Sequence, residues 1–289
     1  MNYYNASEFV PTLKKLGLNV YFVATADRDG NIEKAEVNGA NPCCQCYSVS
    51  KTFTALAAGI CFDKGVLSPD SKVTEVLKKY LPEKYDQKWN DVTLHDLLRH
   101  RSGLTSGILD IDCLNASEFG TFDYLKRVLS QSIEGKTGEH FCYTDDVFYL
   151  ASRMVAEASG IEASKLLRHP LMKKMGFRQY AWSVCPEGYA MGGTGLFLCT
   201  EDMVKLGVLF LRGGDWFGER IVSEKWVDLC FENGYGLDFT NEDGWAFKGG
   251  MRGQGLAVNR EKNAVVAWHG FGKYAWHEVL FAPRGGQNV

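Results

Sequence analysis

Proline is scarce in this chain, with 7 in 289 residues, and no Pro- or Ser-rich stretch sets one part off from another. Collagenous, low-complexity and disordered classes are excluded on that ground. Charge of one sign is scarce too: 32 basic against 35 acidic side chains leave a net charge of -3, with no Lys/Arg block. A nucleic-acid binder needs such a block to neutralise phosphates, so no nucleic-acid partner is expected. No apolar run approaches the roughly 18 residues of a membrane-spanning helix. The most apolar stretch, Phe53 to Phe62, is too short, and no membrane partner is expected. The segment Met1 to Glu8 has neither the basic nor the apolar part of a secretion signal, which points to a cytoplasmic protein. Nine cysteines, an odd number in a chain too long to need disulfide staples, fit free thiols in a reducing compartment. Cys43-Cys44-Gln45-Cys46 lacks a paired Cys-x-x-Cys or His-x-x-x-His to complete four ligands. Core or strand cysteines are expected there, with no metal and no cofactor.

What is present is a composition 45% hydrophobic and 13% aromatic, enough for one large domain or two. Asn19 to Ala26 and Asn31 to Val37 read as strands around the turn Arg28-Asp29-Gly30, the start of an antiparallel sheet. From Ser48 to about Glu157 the signals are mostly helical. Val49, Phe53, Leu56 and Ile60 share one helical face, Thr93 reads as the N-cap of Leu94 to Arg99, and Phe122 to Leu129 and Val147 to Ala158 continue the series. Thr200 to Leu211 reads as a helix capped by Thr200 and closed by Gly213-Gly214. Strands return at Gly253 to Asn259 and Ala264 to His269, across the turn Arg260 to Asn263. Strands at both ends with helices between predict a sheet domain from residues 1–52 and 193–289, a mainly helical domain from 53–192, and a site between them.

The sharpest chemical feature is Ser48-Val49-Ser50-Lys51 at a helix start. A spacing of three places both side chains on one helical face, where the amine reaches the hydroxyl. Serine is a weak nucleophile that needs a neighbouring base and a place for the oxyanion; lysine can be that base, and a helix N-terminus favours the anion. Taken alone, Ser48 can equally be an N-cap and Lys51 a solvated first-turn residue. A second feature is Tyr143-Thr144-Asp145-Asp146 before a helix. A tyrosine beside a lysine can ionise in part and move protons, whereas the aspartates can simply cap the helix. A third is Lys248-Gly249-Gly250-Met251, where glycines on a strand edge admit a substrate backbone and the ammonium attracts a carboxylate.

Together these pieces resemble the serine beta-lactamase and DD-peptidase superfamily, especially its class C beta-lactamase-like branch. Ser48-Val49-Ser50-Lys51-Thr52-Phe53-Thr54 is similar to its nucleophile helix, Tyr143-Thr144-Asp145 to its Tyr-x-Asn, and Lys248-Gly249-Gly250 to its Lys-Thr-Gly. Val92 to Leu104, with Leu97-Leu98-Arg99-His100-Arg101-Ser102-Gly103-Leu104, and Gly192 to Met203 also resemble segments at these places in the family. The resemblance runs from about Tyr47 to Val266. It implies an α+β, beta-lactamase/transpeptidase-like fold: an antiparallel sheet flanked by helices, with an inserted all-helical domain. It also implies roles: Ser48 as acylated nucleophile, Lys51 as its base partner, Tyr143 as second proton-transfer group, and Lys248 as carboxylate binder. The N–H groups of Ser48 and Met251 would form the oxyanion hole. The expected activity is hydrolysis of a small-molecule ester, amide or peptide-like substrate. A true beta-lactamase or DD-peptidase is the alternative, and a non-catalytic ligand-binding relative the other.

Two departures and two decoys stand out. Lys248-Gly249-Gly250 lacks the threonine hydroxyl that helps bind a carboxylate. Asp145 stands where the family has asparagine; an ionised carboxylate only accepts hydrogen bonds, and it favours protonated Lys51. A literal Lys136-Thr137-Gly138 comes too early in the chain and reads as a solvated turn. His269-Gly270-Phe271-Gly272 resembles a His-x-Gly variant but falls one hairpin too late.

Overall fold

The computed structural model describes residues 5–239 and 243–284. Helix α1 (Ala6–Lys15) leads into strands β1 (Val20–Ala26), β2 (Ile32–Glu36) and β3 (Cys43–Gln45). Helices α2 (Ser50–Asp63), α3 (Val73–Val76), α4 (Leu94–Leu98), α5 (Tyr124–Leu129), α6 (Asp145–Ser159) and α7 (Ala163–Leu167) follow. The chain then forms β4 (Tyr180–Trp182), β5 (Leu196–Cys199), α8 (Thr200–Leu211), the short pair β6 (Asp215–Trp216) and β7 (Glu219–Arg220), and α9 (Glu224–Asn233). It closes with β8 (Asp238–Phe239), β9 (Ala246–Gly250), β10 (Gln254–Asn259), β11 (Ala264–Gly270) and α10 (Trp276–Leu280).

The main sheet is antiparallel, in the order β2-β1-β11-β10-β9-β8, and β3-β5-β4 form a smaller sheet. Alternation along β11 divides the main sheet's two faces, as period-2 geometry requires. Val265 and Ala267 enter the core shared with the helices, while Ala264, Val266 and Trp268 enter a second core. That second core is completed by Phe9 and Leu13 of α1 and by Val279 and Leu280 of α10. This is a mixed α+β fold, an antiparallel sheet flanked by helices with a helical region inserted between β3 and β4.

Helix α2 departs from the one-faced expectation: every residue from Ser50 to Cys61 is buried. Such a helix runs through a core rather than along a surface. Gly59 makes this closeness feasible, since a Cβ there would lie 2.3 Å from the Trp226 indole. The indole Nε1–H of Trp226 donates to the Ala55 carbonyl at 3.0 Å. Further along, Thr93 forms the expected cap, in a reciprocal capping box with Asp96. Helix α6 starts two residues earlier than the apolar periodicity indicates, with Thr144 as N-cap and Gly160, in the left-handed region, as its stop. Helix α8 has the expected span but not the expected cap. Cys199 takes the cap position, and the Thr200 hydroxyl is instead hydrogen-bonded to His269 at 2.8 Å.

Candidate active site

Ser48 lies in a 3-10 turn, Tyr47–Val49, that runs straight into α2. Tyr47, just before it, has φ 48, a left-handed conformation that is strained for a bulky aromatic residue. The strain is held by local bonds. The Ser50 hydroxyl donates to the Tyr47 carbonyl at 2.6 Å and accepts from the Leu196 N–H at 3.2 Å, which ties the turn to β5. Deeper in α2, the Thr52 and Thr54 hydroxyls donate to the carbonyls of Gly236 and Gly192 at 2.6 and 2.7 Å.

Lys51 is fully buried, and its ammonium has a partner for each proton: the Ser48 hydroxyl at 3.2 Å, the Gly193 carbonyl at 2.8 Å, and the Asp145 carboxylate. Burial works against its charge, but Tyr143 and Asp145 outweigh burial and hold its pKa above the usual lysine value. Asp145, at the first position of α6, is therefore a counter-ion to Lys51 and not a cap. Its neighbour Asp146 points the other way and accepts from the N–H groups of Ile108 and Leu109 and from Gln131, pinning the loop before α5.

Tyr143 sits between two cations: the Lys51 and Lys248 ammonium groups lie 4.8 and 4.7 Å from its ring centre. Burial of its hydroxyl raises the pKa. The charges of Lys51 and Lys248, with hydrogen bonds to Ser48 and Lys248, overcome that and bring it below the ordinary tyrosine value. The ring itself remains partly exposed to the cleft. Lys248, on β9, is buried, and its Nζ lies 3.3 Å from both carboxylate oxygens of Asp238. Gly250 ends β9 against the Ser48 turn, where a Cβ would lie 2.7 Å from the Cys46 carbonyl. Met251 follows in an exposed turn.

Ser48, Lys51, Tyr143, Asp145 and Lys248 are thus gathered at one place, with Gly250 and Met251 at its edge. Lys136-Thr137-Gly138 is elsewhere; Lys136 is exposed and paired with Glu139. His269 is buried behind the site, its Nδ1 against Thr200 and its Nε2 3.5 Å from the Cys46 sulfur. Burial lowers its pKa to about 4. Cys43 and Cys44 are strand residues of β3.

Three participants were not singled out by sequence. His100 stacks on Tyr143 with ring centroids 4.3 Å apart and planes at 25°. It adopts φ 57, it is buried, and burial together with Lys51 and Lys248 holds its pKa well below normal. Asp238 is the counter-ion of Lys248. Asp112 accepts from Gln45 at 2.8 Å and from Thr194, and with Asp110 and Asp145 brings three carboxylates together. Two of that trio already have partners, Asp145 in Lys51 and Asp112 in Gln45 and Thr194. His100 alone carried a sequence signal, since it falls within the family-like segment Val92 to Leu104.

A strained turn presenting a serine, a buried lysine on it and a tyrosine between two cations, on this sheet-and-helix frame, define the beta-lactamase/DD-peptidase superfamily of serine hydrolases. Within it, the chain belongs to the beta-lactamase family, whose model matches residues 26–270. No curated protein sequence matches it. Among solved structures it is similar to a protein of Bacillus anthracis assigned as a 6-aminohexanoate-dimer hydrolase, with a TM-score of 0.79, 14% identity and coverage of 94% of this chain and 80% of that one. It is similar also to a penicillin binding protein from Bacillus halodurans, with a TM-score of 0.74, 16% identity and coverage of 96% and 98%. A third is the octameric penicillin-binding protein homologue from Pyrococcus abyssi, with a TM-score of 0.70, 19% identity and coverage of 96% and 75%. At these identities the likeness is one of fold. No helix among the described residues is long and apolar enough to cross a membrane.

Proposed function

We propose that the protein is a serine hydrolase that forms an acyl-enzyme on Ser48 and hydrolyses a small ester or amide in the cytoplasm. The observation that carries this reading is the convergence of the Lys51 ammonium, 3.2 Å from the Ser48 hydroxyl, with a tyrosine whose proton two cations loosen. In this mechanism Lys51 stays charged and Tyr143, ionised, is the proton acceptor. The Ser48 oxygen bonds to the substrate carbonyl carbon as its proton passes to the Tyr143 oxygen. The carbonyl oxygen becomes an anion facing the N–H groups of Ser48 and Met251. Collapse breaks the bond to the leaving alcohol or amine, which takes the proton from Tyr143. Water then repeats the sequence: its proton goes to Tyr143, its oxygen bonds to the acyl carbon, and the acid departs as Ser48 recovers a proton. No metal or cofactor has a part in it.

A true beta-lactamase or DD-peptidase is disfavoured by Asp238, which already pairs with the lysine that would hold the substrate carboxylate. Intact-protein mass after incubation with a fluorophosphonate tests the reading. One adduct per chain, absent in Ser48→Ala, is expected, and Tyr143→Phe should lower ester turnover by roughly 10² to 10⁴. A wild-type rate of p-nitrophenyl acetate hydrolysis in Ser48→Ala would sink the assignment. No adduct with any acylating probe would favour a ligand-binding relative.

A further inference from the structure

We propose that Asp238 sets the specificity of the cleft: its carboxylate is a built-in occupant of Lys248, so the site selects acyl compounds that are neutral or cationic on that flank. The inference deepens the hydrolase reading and rests on it for the word substrate, though not for the binding it foresees.

Both Asp238 oxygens lie 3.3 Å from Lys248 Nζ, an evenly shared contact to one ammonium. The Lys248 side chain is 2% exposed, whereas that of Asp238 is 59% exposed. Of the pair it is therefore the carboxylate that solvent reaches, while the ammonium lies against both Asp238 and the Tyr143 ring. A substrate carboxylate arriving at Lys248 meets an existing carboxylate at contact distance, where like charges repel strongly even with partial screening.

The other buried cation is no substitute, since Lys51 is committed to Asp145, Ser48 and Gly193. Around Ser48 two ammonium groups thus face the carboxylates of Asp145 and Asp238, with Asp110 and Asp112 close behind Asp145. A carboxylate arriving here is opposed by those carboxylates, whereas an ammonium or a neutral chain is not. Arg99 and Arg101 line a pocket together with Asp238; Arg252, past Met251, has its guanidinium 5.6 Å from the Phe271 ring centre. It is the residue the experiment has to separate from Lys248.

Two measurements test this on the full chain. In the first, kcat/KM is compared for mono-p-nitrophenyl glutarate and p-nitrophenyl pentanoate, an anionic and a neutral acyl chain of equal length. Asp238→Asn should raise the glutarate-to-pentanoate ratio about tenfold, equivalent to about 1.4 kcal/mol of relieved repulsion. Asp238→Ser should do the same, so an accident of one replacement is excluded. Arg252→Ala should leave the wild-type ratio within about threefold of its starting value. In the second, hexanoate is titrated calorimetrically into wild type and Asp238→Asn, and the variant should bind it about tenfold tighter. Unchanged ratios together with unchanged hexanoate binding would overturn the proposal, as would a wild-type ratio that collapses in Arg252→Ala. If neither ester is turned over, the hydrolase reading fails, and the hexanoate titration alone still decides the role of Asp238.

Discussion

The ammonium of Lys51 is shared between the Ser48 hydroxyl, 3.2 Å away, and the Asp145 carboxylate on its other side. The family-like asparagine would leave that ammonium only Tyr143 as a counter-charge. Aspartate favours the charged form of Lys51, and in the proposed mechanism the task of accepting the serine proton falls to Tyr143.

Asp145→Asn should therefore move the acidic limb of kcat/KM to lower pH. Removing the carboxylate lowers the Lys51 pKa and leaves Lys51's remaining charge uncompensated next to Tyr143, which favours the phenolate. The active protonation state is then reached at lower pH whichever of the two takes the proton. Superimposed profiles for wild type and Asp145→Asn, measured with one neutral ester, would reduce Asp145 to a structural residue.

Lys248→Met should shift the same limb the opposite way. Lys248 is one of the two cations that depress the Tyr143 pKa, so its loss leaves a weaker acid and less phenolate at any given pH. A pH titration with p-nitrophenyl acetate suffices to see it. A uniform loss at every pH, with no displacement, would mean that Lys248 serves the fold and not the proton.

His100 holds the Tyr143 ring by a face-to-face contact at 4.3 Å. Stacked aromatic pairs are worth about 0.5–1.5 kcal/mol beyond area burial. His100→Ala should therefore lower kcat by roughly 3- to 10-fold through looser placement of the phenol, with KM little changed. His100→Phe, which keeps a ring, should restore most of the loss. Failure of the phenylalanine to rescue, with both variants folded by circular dichroism, would exclude a positioning role.

His269 gives a stability prediction with a definite sign. Buried and bonded to Thr200, it is held neutral down to about pH 4, whereas an unfolded histidine protonates near 6.5. Between those values the unfolded state binds the extra proton, so folding stability falls as pH drops from about 6.5 towards 4. Urea midpoints across that window should show a shallower slope for His269→Gln than for wild type. Parallel slopes would assign the acid sensitivity to other groups, such as the buried His100.

Legibility in the sequence follows the range of the interaction. Ser48 and Lys51 are one helical turn apart, and the Thr93 cap and the β10–β11 hairpin are equally local, so the sequence offers them as candidates, and the resemblance singles out Ser48 and Lys51. The contacts that complete the site are long-range. His100 reaches Tyr143 across 43 residues of chain whose periodicity says nothing of stacking. Asp238 meets Lys248 only because β8 pairs with β9 at the sheet edge. The cap of α8 differs from the expectation for a related reason: a buried histidine from β11 competes for the Thr200 hydroxyl and wins it. Helix α1, with Phe9 and Leu13 packed on the outer face of the sheet, carries a short pattern interrupted by Pro11, too brief to stand out.

Strand β11 lies between β1 and β10, so the second strand of the chain to settle beside β1 is among the last to be made. At about 5–20 residues per second of synthesis, β1 waits on the order of ten seconds or more for that neighbour, with one edge unpaired. Through most of that interval Ser48 and Lys51 already exist while Lys248 does not. On the proposed mechanism such a chain should be unreactive, and a fragment that ends before β9 carries Ser48 and Lys51 without Lys248. Pulse-labelling of stalled chains with the fluorophosphonate would show the moment at which a newborn molecule first becomes reactive.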